Sequence, residues 1–247
     1  MRPQFILFGD SITQQSFSHG GWGASLADTY SRQVDVILRG YSGYNSRWAL
    51  FLLPHIFPLN TSTKPPVAAT IFFGANDAAL LGRLKERQHV PVEEYKENLK
   101  KIVNHLKERS PTMLKVLITP PPIHEEGRRA FFRASGEILE LPERTNEMAG
   151  IYAKNCLEVA REMGLPCIDL WSKMQEVEGW QTKFLSDGLH LTVEGNEVVH
   201  KEVVRVFSEA GFCPTEMPSD FPPHLDIKEN NPEEAFEQQH CYAAAAI

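Results

Sequence analysis

Near its N-terminus the chain reads QFILFGDSIT over residues 4–13. Gln4 to Phe8 is an apolar run of the length of a buried β-strand, and Gly9-Asp10-Ser11 is typical of a turn that leads into a helix. In an open α/β sheet, ligands bind where the carboxyl ends of the strands present such turns. A helix N-terminus also directs backbone N–H groups there, which favours a negatively charged oxygen. Ser11 is therefore a candidate site residue, although a serine that only caps a helix has the same pattern.

Hydrophobic patterning continues this alternation of strands and helices along the chain. Short apolar runs alternate with longer segments of helical period, which indicates an α/β fold with a parallel sheet covered by helices on both faces. The predicted strands are Gln4 to Phe8, Val34 to Arg39, Val67 to Phe73, Leu114 to Thr119 and Cys167 to Leu170. The clearest predicted helices begin after Pro91, extend from about Pro142 to Met163, and begin at Thr192 as an N-cap.

Composition separates a domain from a C-terminal segment. A chain of 247 residues suits one large α/β domain, which we place at residues 1–212. Residues 213–247 are rich in proline and acidic residues and end in an alanine run, so we predict a poorly packed tail. Two connections, Ala78 to Val90 and Pro120 to Leu141, are longer than a tight crossover needs, and we expect loops there that contact substrate.

The charge distribution and the cysteine spacing limit the classes of partner and metal site that the sequence predicts. The net charge of −7 is spread over mixed runs without a Lys/Arg block, so we expect no nucleic acid and no stable membrane anchor, and a small uncharged substrate. The four cysteines have no CxxC spacing, which gives no zinc knuckle or redox pair; they are Cys156, Cys167, Cys213 and Cys241. The apolar run Phe5 to Phe8 is too short for a signal peptide, so we expect a cytoplasmic location.

Two later motifs could contribute chemistry beside Ser11. The third predicted strand ends in Phe73-Gly74-Ala75-Asn76-Asp77, where the Asn76 amide would project into the same crevice as a hydrogen-bond donor. Asp187-Gly188-Leu189-His190 precedes the last helix, and the three-residue separation lets the carboxylate and the imidazole meet in one turn. An ionised Asp187 would orient His190 as a general base. Taken alone, the first motif is more often turn chemistry, and the second is more often a capping or surface pair.

These motifs together resemble the ordered sequence blocks of the SGNH (GDSL-like) hydrolases. The matching residues are Gly9-Asp10-Ser11, Gly43 within Tyr41-Ser42-Gly43-Tyr44-Asn45, Gly74-x-Asn76-Asp77 and Asp187-x-x-His190. The segment from Arg39 to Trp48 and the opening from Phe8 to Ser18 further resemble the isoamyl acetate-hydrolysing esterase branch. The chain departs from the family's name in one place, because Ile12 stands where that name implies leucine, and this puts nothing catalytic in doubt.

The resemblance implies a fold and a role for each matched residue. The implied fold is a three-layer α/β/α, flavodoxin-like domain with a five-stranded parallel sheet. Ser11 would attack the ester carbonyl, with His190 as general base and Asp187 as its orienter, and the reaction would need no metal or organic cofactor. The backbone N–H groups of Ser11 and Gly43 and the Asn76 amide would bind the oxyanion. The resemblance favours short acyl chains but leaves open an ester, an acetylated sugar or a thioester.

Other readings of the same residues lead to different functions. Asp10 could form an aspartyl-phosphate, but the acidic residue expected two positions later is Ile12. An inactive protein of this fold could act as a scaffold, because fold alone does not establish function. The Arg128-Arg129 pair could meet an acidic substrate, although such pairs are usually solvated. Packing roles are expected for the four tryptophans, Trp22, Trp48, Trp171 and Trp180.

Overall fold

The computed structural model describes residues 2–60, 64–138 and 140–237. Its strands are β1 (Gln4–Gly9), β2 (Asp35–Gly40), β3 (Ala68–Phe72), β4 (Leu114–Ile118) and β5 (Cys167–Ile168). Its α-helices are α1 (Ser11–Gln14), α2 (Trp22–Thr29), α3 (Ser46–Ile56), α4 (Val92–Arg109), α5 (Glu125–Ala134), α6 (Asn146–Met163), α7 (Leu170–Gln175), α8 (Trp180–Lys183) and α9 (Val193–Glu209). Short 3-10 turns cover Gln15–Phe17, Glu86–Gln88 and His224–Asp226.

The strands form one parallel sheet in the order β2-β1-β3-β4-β5. This is the strand order of flavodoxin-like folds, in which the connections diverge to opposite sides of β1 and leave a crevice between β1 and β3. Gly9 at the end of β1 pairs with Gly40 of β2 and with Phe72 of β3. The segments that follow β1, β2 and β3 therefore emerge at one edge of the sheet.

Alternate residues of the central strands face two separate cores, as strand geometry requires. Phe5 and Leu7 belong to the core beneath α2, α7 and α9, whereas Ile6 and Phe8 belong to the core beneath α3, α4 and α6. These two faces confirm the predicted three-layer α/β/α architecture. Rings of Phe5, Tyr30, Phe207 and Phe212 pack edge-to-face in the first core, a geometry that adds to the gain from apolar burial.

Three element predictions differ from the structure by more than one residue, and local hydrogen bonds explain two of them. The last strand stops at Ile168 and not at Leu170, because Asp169 caps α7 by accepting the N–H of Ser172 at 3.1 Å. Helix α6 begins at Asn146 and not near Pro142, because Thr145 is its N-cap. The connection from Pro120 to Leu141, expected as a loop, contains α5. The predicted N-cap of the last helix, Thr192, is confirmed.

The segment after Phe212 is attached to the domain in part. Gln33 Nε2 donates to the carbonyl oxygens of Pro214 and Met217, at 2.7 and 3.0 Å. Asp220 forms ion pairs with Arg2 and Arg32. Residues 214–220 are therefore attached to the domain by hydrogen bonds and ion pairs, and the poor packing of the tail stays a prediction. The alanine run that the sequence analysis placed in this tail lies outside the described residues, as does Cys241.

Candidate active site

Ser11 and His190 come from opposite ends of the chain and meet at the carboxyl edge of the sheet. Ser11 is the first residue of α1 and is 5% exposed. His190 lies in the turn before α9, and its Nε2 is 3.0 Å from Ser11 Oγ. The two residues are 179 positions apart in sequence, so the fold and not local structure brings them together.

Asp187 is hydrogen-bonded to the other ring nitrogen of His190, Nδ1. Its Oδ2 is 2.8 Å from His190 Nδ1, and its Oδ1 accepts the backbone N–H groups of His190 and Leu189 at 2.7 and 3.0 Å. Burial raises the pKa of the Asp187 carboxyl, but the hydrogen bonds and charge of His190, with the charge of Arg128, outweigh burial and hold that pKa well below its usual range. An ionised carboxylate can only accept, so Nδ1 carries the proton and Nε2 is left as an acceptor toward Ser11.

Asn76 follows β3, at the same edge of the sheet as Ser11. Its Nδ2 donates to the carbonyl of Tyr44 at 2.8 Å, and its Oδ1 accepts from Arg144 at 2.9 Å. These two bonds fix which end of the amide is nitrogen, because an arginine cannot donate to an NH2 group. One Nδ2–H remains beyond the bond to Tyr44, and Asn76 is 4% exposed.

Gly43 lies in the loop between β2 and α3 and has a backbone φ of +79°. This left-handed conformation favours glycine. The loop is held against α1, because the N–H of Ser42 donates to Gln14 Oε1 at 2.7 Å. Within the part of the chain that the structure describes, the backbone N–H groups of Ser11 and Gly43 donate to no protein acceptor. Both are thus available to a ligand oxygen.

Asp10 does not resemble a phosphorylated aspartate. It is fully buried, and its Oδ1 accepts the N–H of Ile12 at 2.9 Å as the N-cap of α1. Burial, opposed by the bond from Ile12 and by the charge of His190, raises the pKa of Asp10 to about 7. Among the described residues, no group of three or more His, Cys, Asp or Glu side chains is placed to hold a metal ion.

The structure corrects the expectation for Arg128, which is not a solvated surface residue. It is 4% exposed, and its Nη1 donates to Asp187 Oδ2 at 2.9 Å. Glu143 and Arg144 are also buried beside the site, and no motif predicted them. No signal in one sequence marks these residues, because a Glu-Arg pair before a helix is usually exposed.

A cavity of about 340 Å³ opens beside the loop that carries Gly43. Its lining consists of Tyr44, Trp48, Phe51, Leu52 and Arg87. Tyr44 belongs both to this wall and to the site, since its carbonyl accepts from Asn76. Trp22 is fully buried in the core as predicted, whereas Trp48 lines the cavity.

Several known proteins are similar to this chain in sequence. Residues 5–203 match the model of the family described as GDSL-like lipase/acylhydrolase. A GDSL esterase/lipase of Arabidopsis thaliana is 63% identical over 97% of this chain and 99% of its own length. The isoamyl acetate-hydrolyzing esterase 1 homolog of Bos taurus is 44% identical over 94% of this chain and 90% of its own.

A solved structure matches the fold as well. The crystal structure of a lipase/acylhydrolase from Enterococcus faecalis superposes with a TM-score of 0.64 at 27% identity. The match covers 85% of this chain and 97% of that one.

Within residues 2–60, 64–138 and 140–237, no helix combines the length and hydropathy that a membrane span needs.

Proposed function

The chain belongs to the GDSL-like lipase/acylhydrolase family and is an ester-hydrolysing enzyme, and from this premise we propose that Ser11, His190 and Asp187 form its catalytic triad. The observation that carries the proposal is the 3.0 Å contact between Ser11 Oγ and His190 Nε2. A neutral serine hydroxyl is a poor nucleophile and needs an adjacent base with a group that orients it. His190 and Asp187 supply these two roles.

Hydrolysis proceeds in two steps through an acyl-enzyme. Ser11 Oγ attacks the ester carbonyl while His190 Nε2 takes its proton, and the imidazolium formed is stabilised by Asp187. The tetrahedral intermediate then expels the alcohol, which takes the proton from His190. Water attacks the acyl group in the second step, with His190 again as base, and releases the carboxylic acid and free Ser11. Water is the only second substrate required.

Three donors bind the oxyanion of the tetrahedral intermediate. These are the backbone N–H groups of Ser11 and Gly43 and the Nδ2–H of Asn76 that is not bonded to Tyr44. This assignment is supported by the two backbone N–H groups, which have no protein acceptor among the described residues. Loss of one such donor typically removes about 3 kcal/mol of transition-state stabilisation. Asn76→Ala is therefore expected to lower kcat on the order of a hundredfold.

A substitution of the nucleophile tests this function directly. Ser11→Ala should reduce turnover of a short-chain aryl acetate to the background of the buffer, because no other group takes its place. Ser18→Ala, at an exposed position seven residues later, is the matched control and should retain the wild-type rate. Equal rates for Ser11→Ala and the wild type would refute the proposal.

The substrate is proposed to be an ester with a short acyl chain. The support is the name of the bovine relative, which refers to an acetate ester. A series of aryl esters from acetate to long chains tests this. The value of kcat/KM should be highest for the shortest chains, and an optimum at long chains would overturn the preference without affecting the triad.

A further inference from the structure

Glu143 lies between two buried arginines beside the site. Its Oε1 accepts from Arg128 Nε at 2.8 Å and from Arg144 Nη1 at 3.0 Å. Glu143 is fully buried, and the exposed fractions of the Arg128 and Arg144 side chains are only 4% and 2%. Buried charges are costly and persist in proteins when they are paired and hydrogen-bonded. Arg128, Glu143 and Arg144 together form a buried arginine cluster.

Arg144 connects the arginine cluster to the oxyanion amide. Its Nη2 donates to Asn76 Oδ1 at 2.9 Å and to Gln88 Oε1, and its Nε donates to the carbonyl of Ala75 at 2.8 Å. A cation on the amide oxygen polarises the group and makes its N–H a stronger donor. It also prevents the amide from flipping, because the flipped NH2 group would face the guanidinium.

Arg128 connects the same cluster to the triad carboxylate. Its Nη1 donates to Asp187 Oδ2 at 2.9 Å, the oxygen that also receives His190 Nδ1. The Asp187 carboxylate is therefore held from three directions, by Arg128, by the imidazole and by backbone N–H groups. The oxyanion amide and the orienting carboxylate are thus linked through one buried glutamate.

We propose that Arg144 and Arg128, joined by Glu143, are positioning residues for catalysis, Arg144 for Asn76 and Arg128 for Asp187. This inference rests on the proposed function, since it assigns roles through two residues of that site. Arginine is required because its planar group donates in several fixed directions, whereas lysine offers a single charged centre. Arg144 donates to four acceptors, and the three N–H groups of a lysine cannot serve all of them; they are Ala75, Glu143, Asn76 and Gln88.

A double-mutant cycle tests the link between Arg144 and Asn76. Arg144→Lys should lower kcat about tenfold or more and change KM less than about threefold, because the amide acts mainly in the transition state. In the Asn76→Ala background, the same substitution should lower kcat less than about threefold, since its target is already absent. An equal loss in both backgrounds, or no loss in folded Arg144→Lys protein, would overturn the role of Arg144.

Arg128 is tested in the same way against Asp187. Arg128→Lys should lower kcat in the wild-type background and have little further effect in Asp187→Asn. The matched control is Arg129→Lys on the neighbouring position of α5, whose ion pair is with Glu126 and whose side chain is 39% exposed. This control should leave kcat unchanged. An Arg128→Lys loss that persists fully in Asp187→Asn would contradict the assignment.

Folding of each variant is measured by its urea midpoint and near-ultraviolet circular dichroism. If Arg144→Lys does not fold, Glu143→Gln repeats the cycle with the side-chain shape retained. It should lower kcat severalfold in the wild type and by a smaller factor in Asn76→Ala, where only the effect through Arg128 and Asp187 remains. Ser11→Ala separates the two proposals: retained turnover overturns the proposed function and this inference together. An inactive Ser11→Ala with additive cycles overturns the inference alone.

Discussion

Asp10 and Asp187 are carboxylates of the same site, yet their environments shift their pKa values in opposite directions. Asp10 is fully buried with one bond from Ile12, and its Oδ2 has no hydrogen-bond partner among the described residues. Asp187 is bonded by an imidazole, an arginine and two backbone N–H groups. Hydrogen bonding to the charged form favours ionisation, and burial without such bonds opposes it.

The raised pKa of Asp10 predicts a pH-dependent stability contribution. Its pKa is 3.8 in the unfolded chain and about 7 in the folded protein, so folding takes up a proton between these values. The free energy of unfolding therefore decreases as pH rises from about 4 to about 7, by up to a few kcal/mol at about 1.4 kcal/mol per pKa unit.

Asp10→Asn tests this contribution, because an amide oxygen can still cap α1 but does not titrate. Urea unfolding at pH 4.5 and 7.5 should show a smaller decrease for Asp10→Asn than for the wild type. The comparison of the two proteins removes contributions from other groups, including Asp77, whose pKa burial raises to about 6 against the bonds from Ser46. An identical pH dependence in both proteins would contradict the assignment to Asp10.

Single residues of the site were predictable where a motif fixes both type and place. The positions of Ser11, Asn76, Asp187 and His190 follow from strand ends and from the turn before the last helix, and the structure brings these residues to one sheet edge. The roles of Arg128 and Arg144 were not predictable, because a sequence does not show that these two arginines are buried in the interior. The catalytic roles of all these residues stay proposals until they are measured.

Helix α5 packs directly on the turn that carries Asp187 and His190. The N–H of His124, its N-cap, donates to the carbonyl of Gly188 at 2.9 Å. Gly188 has a φ of +81°, and an added Cβ would lie 2.4 Å from the carbonyl oxygen of His124. A side chain at this position would therefore be both strained and obstructed.

Gly188→Ala should displace α5 from the turn and disturb Asp187. We expect the free energy of unfolding to fall by about 1–3 kcal/mol more than in the control, with a lower kcat. The control is Gly136→Ala, because Gly136 has a φ of +82° but its added Cβ would have no atom within 4 Å. Urea unfolding and ester turnover measure both effects. Equal destabilisation in the two variants would show that backbone strain alone accounts for the loss.

Strands were predicted more accurately than the connections between elements. The apolar runs identified the five strands because each is short and the central strands β1, β3 and β4 are largely buried, and most boundaries differ from the structure by one residue. Helix α5 was missed because its sequence EEGRRAFFRA is charged and contains Gly127. It packs against the turn at Gly188, and that contact is tertiary. Local propensity cannot supply that information.

At the scale of the whole molecule, the site depends on chain topology. β1 lies in the sheet between β2 and β3, so the segments that carry Ser11, Gly43 and Asn76 emerge around one crevice. Helix α9 packs on α2 and beside β5. This packing brings the turn before α9 to the end of β1, so that His190 contacts Ser11. The domain boundary at residue 212 and the cytoplasmic location stay predictions.

Covalent labelling tests the central claim that this topology activates one serine. A fluorophosphonate reacts when the serine oxygen displaces fluoride, which requires both the base and the oxyanion donors. After incubation, intact-mass and peptide-mapping measurements should show a single adduct on Ser11, greatly slowed in His190→Ala and absent from Ser11→Ala. Folded protein that hydrolyses esters without an adduct on Ser11, or with an adduct on another residue, would contradict the account.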